Sequence, residues 1–219
     1  MLAKDFITKE YPVLKKTDTG EYVMALMDDF KVRHLPLAEV NQYKCLINEK
    51  DVLSMHNLSD RIEEPSIAIP PIPAESHFLE ALAAMTRYDL SLVPVVDTGD
   101  ELLGVITLEK MAEALSTWTN ADTPGSIIVL EVLPQDYALS DIARLAESNN
   151  AHILSLLTNP DPASGRLWVS LKVDLEDASA LIRSFERFNY TILYHFMKQG
   201  VVKDILEQRM QELIRFMNI

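Results

Sequence analysis

Apolar residues recur at helical spacing over residues 17–30, where Val23, Leu26, Met27 and Phe30 share one face and Thr17 or Thr19 is placed to cap the start. A short apolar strand over 35–37, a second strand over 44–48 and a second helix over 49–55 follow. The same order then returns: a helix over 75–88, a strand over 92–96, a turn at 98–100, a strand over 103–107 and a helix over 108–116. Residues 25–37 (ALMDDFKVRHLPL) return at 83–95 (AAMTRYDLSLVPV). Ala25 recurs as Ala83, Met27 as Met85 and Pro36 as Pro94, all in one register. The segment joining the copies, 63–76 (EEPSIAIPPIPAES), is held extended by its prolines. Up to about residue 119 the chain therefore reads β-α-β-β-α, twice. A unit of this size rarely buries its apolar face alone, so the copies are expected to pack together and leave a cleft between them.

The pattern changes after Asn120-Ala-Asp-Thr-Pro-Gly125, a turn-rich break. Strands are predicted at 126–133, 152–158, 166–173 and 191–196, with helices at 138–149 and 175–188 and a hairpin loop at 159–165. The order βαββαβ is the ferredoxin-like plan, in which two helices cover one sheet face and leave the other open. In 166–173 the alternation puts Leu167, Val169, Leu171 and Val173 on one face and Trp168, Ser170 and Lys172 on the other. The last segment carries Val202, Ile205, Leu206, Met210, Leu213, Ile214 and Met217 at helical spacing with balanced charge, a pattern suited to docking on protein.

Composition narrows the partners. The chain has 219 residues, long enough for a core without metals or disulfides, and its 20 Lys and Arg against 33 Asp and Glu give a net charge of −13. A phosphate backbone needs clustered cations, and the only adjacent basic pair is Lys15-Lys16, so no nucleic-acid partner is expected. No apolar run reaches signal-peptide or membrane-span length, and the single Cys45 reads as a small buried hydrophobe; together these point to a cytoplasmic protein without a membrane partner.

The repeated helix-strand-strand-helix with its Leu-Pro-Leu or Val-Pro-Val strand, closed by Gly104-Val-Ile-Thr-Leu-Glu-Lys110, resembles the cystathionine-β-synthase (CBS) domain. The βαββαβ unit after it looks like an ACT domain, and the combination is similar to the acetoin-utilisation AcuB family. The resemblance implies an α/β (α+β) fold: CBS repeat 1 over 1–62, CBS repeat 2 over 63–119, a linker at 120–125, an ACT-like domain over 126–198 and a C-terminal amphipathic helix over 199–219. It also implies that the inter-repeat cleft takes an adenosine derivative such as AMP or ATP as a regulatory ligand, and that the ACT-like sheet forms a homodimer. In the family a Ser/Thr-x-x-Asp turn ahead of the last helix of each repeat holds phosphate with its hydroxyl and helix amides, and ribose with its carboxylate. The matching residues here are Asn48 and Asp51 in the first copy and Thr107 and Lys110 in the second, each copy departing from the pattern at one position. Three of these residues also fit a structural role. Asp51 can be a helix-start acid favoured by the dipole, Thr107 a helix cap and Lys110 a solvated side chain.

Catalytic motifs are missing. The chain carries no Gly-rich phosphate loop, Gly-x-Ser-x-Gly elbow or His-Glu-x-x-His pair, and its five histidines (34, 56, 77, 152, 195) lack ligand spacing, so no metal site and no enzyme activity are expected. In the ACT-like turn Tyr137 stands roughly where the family has a glycine, which favours a structural domain over an amino-acid sensor. The expected function is a non-enzymatic regulator that senses an adenine nucleotide or related metabolite in the CBS-pair cleft; the rival is a structural or interaction module with empty sites.

Overall fold

The protein was analysed as a computed structural model, which describes residues 1–65 and 69–197. The tail helix expected over 199–219 lies outside the described residues. Contacts divide the chain into two compact units, Met1–Ala114 and a second beginning at Leu115.

In the first unit, α1 (Gly20–Phe30) leads into the antiparallel hairpin β1 (His34–Glu39) and β2 (Gln42–Asn48), followed by the single turn-and-a-bit of α2 (Glu49–Leu53). The second copy repeats this with α3 (Phe78–Tyr88), hairpin β4 (Leu92–Val96) and β5 (Leu102–Thr107), and α4 (Leu108–Trp118). The leading strand of the second copy is β3 (Ile72–Pro73), parallel to β4 with Ile72 opposite Val95. The first copy has the same strand reduced to one bridge, Leu14 parallel to Leu37, held by Leu14 N to Pro36 O at 2.8 Å and Ala38 N to Leu14 O at 3.1 Å. Leu35, Leu37, Leu92, Val93 and Val95 are fully buried, so the proline strands form the centre of the unit.

Caps rather than propensity set the helix starts. The helix predicted from residue 17 begins at Gly20, because the Thr19 hydroxyl accepts from Tyr22 N and Gly20 N donates to Asp60 O. The helix predicted from residue 75 begins at Phe78, with the His77 ring accepting from Leu79 N at 3.3 Å. Residues 74–76 pair instead with the chain's first residues: Ala3 N donates to Ser76 O at 2.8 Å and Lys4 N to Ala74 O at 3.1 Å. Thr8 pairs reciprocally with Val105, and Phe6 stacks on Phe78 at 5.3 Å. Residues 2–8 thus complete the second copy, not the first. Gly104 is explained by this crossing, since a Cβ there would sit 2.7 Å from Thr8 O at a φ of +157°.

The second unit contains β6 (Ser126–Val132), α5 (Leu139–Ser148), β7 (Ile153–Pro160), β8 (Leu167–Val173), α6 (Ser179–Arg187) and β9 (Thr191–Phe196). Its sheet has the order β7-β8-β6-β9, antiparallel throughout, as the ferredoxin-like plan requires. Helix α6 starts four residues later than the sequence predicts because the carbonyls of Leu175 and Glu176 accept from the buried Ser126 hydroxyl. Ile128, Leu130, Val169, Leu171 and Val173 pack with Ile142, Leu145, Leu181 and Phe185 from the two helices. The opposite face presents Ile127, Leu157, Tyr194 and Phe196, all exposed. There Lys172 Nζ donates to the carbonyls of Asn120 and Ala121 and Ser155 Oγ to Thr119 O, so the turn-rich break lies against one end of this face.

Phe185 is wholly enclosed between α5, α6 and the sheet. Truncation to alanine leaves a cavity that this close-packed layer fills only in part, so Phe185→Ala should lower the unfolding free energy by about 3–5 kcal/mol in urea titration. A loss below about 1 kcal/mol would show the layer to be loosely packed.

Candidate functional site

Each copy ends its hairpin in a strand-to-helix turn, and the two turns are built alike. Asn48 pairs with His34 and Thr107 with Leu92 at the ends of the two hairpins. The residue before each proline strand holds its own helix: Glu49 N donates to Arg33 O at 2.9 Å, and Leu108 N to Ser91 O at 3.2 Å. Arg33 and Ser91 also join the copies to each other. Arg33 N donates to Ser91 Oγ at 3.0 Å, and the Arg33 guanidinium forms two 3.2 Å hydrogen bonds with the Asp89 carboxylate.

His34 lies beside this junction, 1% exposed. Ser91 N, which can only donate, points at His34 Nδ1 from 3.2 Å, so Nδ1 is the acceptor and also takes the Ser91 hydroxyl at 3.1 Å. In the neutral ring the proton then sits on Nε2, which is buried and has no partner among the described residues. Burial, helped by the nearby Arg33 charge and opposed by Asp89 and Asp51, brings the imidazole pKa down to about 4. The sequence shows no metal-ligand spacing around His34. His34's position between two copies gives no local signal in sequence.

The four residues expected to bind nucleotide are all present at these turns, and each takes part in local capping. Asn48 Oδ1 accepts from Lys50 N at 2.9 Å while Asp51 Oδ2 accepts from Asn48 N at 3.3 Å, a reciprocal capping box. Thr107 is buried, and its hydroxyl accepts from Lys110 N at 3.2 Å. Lys110 Nζ reaches back along α4 to Glu113 Oε2 at 2.7 Å. Only Asp51 of the four also lines the cleft described here, a space of about 450 Å³ that runs to Met55, Asp60, Arg61, Glu63 and Glu64 at the start of the segment joining the copies. Thr107 and Lys110 are not part of its wall.

The family model for the CBS domain matches residues 63–117. That segment is a CBS domain. The first copy repeats its hairpin, its parallel leading pair and its strand-to-helix turn, so both copies share one fold, and a ferredoxin-like domain follows them. Among solved structures, the chain is similar to a CBS-domain-pair/ACT-domain protein from Thermotoga maritima, with 20% identity over 53% of this chain and 98% of that one and a TM-score of 0.49. It is also similar to CBSX2 solved in complex with AMP (18% identity, 53% and 96% covered, TM-score 0.45). A third likeness is to a CBS pair solved with 5′-methylthioadenosine and S-adenosyl-L-methionine (17% identity, 53% and 97% covered, TM-score 0.43).

A second cavity, of about 360 Å³, opens at one end of the ACT-like domain between Arg144, Arg166, Phe188 and Tyr190, and sequence reading did not find it. Both guanidiniums already face carboxylates, Arg144 with Asp141 at 3.5 Å and Arg166 with Glu131 at 3.3 Å. Tyr137, at the turn between β6 and α5, is half-buried against the domain core. Among the described residues no group of three or more His, Cys, Asp or Glu side chains could hold a metal ion, and no helix is long and apolar enough to cross a membrane.

The buried neutral His34 makes stability depend on pH with a definite sign. Its folded pKa, near 4, lies below the ordinary 6.5, so the unfolded chain takes up the proton first as pH falls. The stability attached to the neutral ring is whole above about pH 6.5 and declines from there toward pH 4, by about 3 kcal/mol in all. Urea titrations at pH 7 and pH 4.5 should therefore show wild type losing more than His34→Leu over that interval. Equal losses in the two proteins would contradict this assignment.

Proposed function

We propose that the protein is a non-enzymatic regulator: a CBS pair that takes an adenosine-containing ligand in the cleft at Asp51, joined to an ACT-like domain through which two copies dimerise. The observation that carries the reading is Asp51. Its Oδ2 is engaged with Asn48 N, while Oδ1 accepts no hydrogen bond among the described residues, and the residue lines the cleft. A carboxylate oxygen so placed accepts from ribose hydroxyls without any other bond being broken. Ligand in the cleft acts by population shift, favouring one arrangement of the copies over others. Dimerisation is supported by the open face of the ACT-like sheet, where Tyr194 and Phe196 pack edge to face at 5.8 Å and remain exposed next to Ile127.

Thermal denaturation with adenosine, AMP and ATP tests the reading directly. A ligand at 100 times its dissociation constant should add about 2.7 kcal/mol of stability. Asp51→Ala should weaken binding roughly ten- to a hundredfold, the loss expected for a hydrogen bond to a charged group. No stabilisation by any adenosine derivative at millimolar concentration would favour the structural module with empty sites. For the dimer, sedimentation of Tyr194→Ser/Phe196→Ser should show a shift toward monomer, and a monomeric wild type would remove that part.

A further inference from the structure

We infer that the cleft at Asp51 selects an uncharged ribonucleoside and disfavours its phosphorylated forms; this rests on the cleft reading above and names the class of ligand it takes. Three observations converge on it.

The first concerns donors. A phosphate at a strand-to-helix turn is held by free amides of the first helical turn. Here two of those amides at each turn are already engaged by the protein. At the first turn Glu49 N donates to Arg33 O and Lys50 N to Asn48 Oδ1, each at 2.9 Å, and α2 is only five residues long. At the second, Leu108 N donates to Ser91 O and Lys110 N to Thr107 Oγ1, each at 3.2 Å. A phosphate would have to break a native hydrogen bond for each of these donors it used.

The second concerns charge. The wall of the cleft carries the carboxylates of Asp51, Asp60, Glu63 and Glu64 against the single guanidinium of Arg61. Lys16, the nearest ammonium to Glu64, is shared between Glu64 at 2.7 Å and Glu39 at 3.3 Å, and this pairing holds the Glu64 carboxyl below the usual carboxylate range. Lys110, the one cation among the nucleotide-binding candidates, is paired with Glu113. A dianionic phosphate about 10 Å from such a wall is repelled by each unpaired carboxylate, and after screening at physiological salt the sum amounts to roughly a tenfold loss of affinity. The chain's net charge of −13 acts in the same direction.

The third is what remains available. Asp51 Oδ1 keeps its lone pairs, and a ribose diol needs an acceptor of that kind and no cation. The turn has therefore kept the part that reads the sugar and closed the part that reads phosphate.

Isothermal titration of the full chain with adenosine, AMP and ATP, without magnesium, decides the matter. At about 50 mM salt adenosine should bind at least roughly tenfold more tightly than AMP or ATP, and the gap should narrow at about 300 mM salt because the repulsion is screened. Asp60→Asn/Glu63→Gln should narrow it further by raising the affinity for AMP and ATP relative to adenosine. AMP or ATP binding as tightly as adenosine would overturn this inference and leave the cleft reading standing. Adenosine binding that Asp51→Ala does not weaken, or no binding of any of the three at millimolar concentration, would remove both.

Discussion

Both strand-to-helix turns depend on the residue that precedes the proline strand. Arg33 and Ser91 each offer a backbone carbonyl to the first amide of their own helix, and each also reaches the other copy, through Arg33 N to Ser91 Oγ. One junction therefore fixes hairpin, helix start and inter-copy register together. A buried backbone donor left without a partner costs about as much as a lost hydrogen bond, and here the same few atoms answer that demand for two copies at once. His34 extends the junction by accepting from Ser91 N and its hydroxyl, at the cost of one interior Nε2–H with no partner among the described residues. Everything said of the cleft follows from these turns being closed by their own chain.

How much of this was legible in sequence differs from element to element. Pro36 and Pro94 fixed the register of the copies because a repeat is a pattern in the chain itself, and the paired hairpins follow it. The alternation of β8 was equally readable, with Val169, Leu171 and Val173 inside the core. Helix starts were readable only to within a few residues, because the winning caps, His77 for α3 and the Ser126 bonds that delay α6, depend on partners far along the chain or on an unusual capping residue. The assignment of residues 2–8 to the second copy had no local signal, since it rests on Thr8 meeting Val105 across the fold.

At the candidate site the sequence located the two turns but could not apportion their atoms. Asp51 was expected either as a nucleotide ligand or as a helix-start acid, and Asn48 as a nucleotide ligand. The geometry gives Asn48 the capping role and Asp51 a capping oxygen, a second oxygen without a hydrogen bond among the described residues, and a place in the wall of the cleft. Thr107 and Lys110 are engaged by Lys110 N and Glu113. Residue identity shows that a hydroxyl or carboxylate is available; only the fold shows which lone pair is left.

The account's central claim is that the ligand site is the Asp51 cleft of the CBS pair and not the Arg144–Arg166 cavity of the ACT-like domain. Amide-resolved NMR of the isotopically labelled chain during titration with adenosine tests it most directly. The account predicts saturating shifts at residues 51–65, with Arg144, Arg166 and Tyr190 unchanged at low occupancy. Shifts that begin at Arg144, Arg166 and Tyr190 while residues 51–65 stay in place would contradict it.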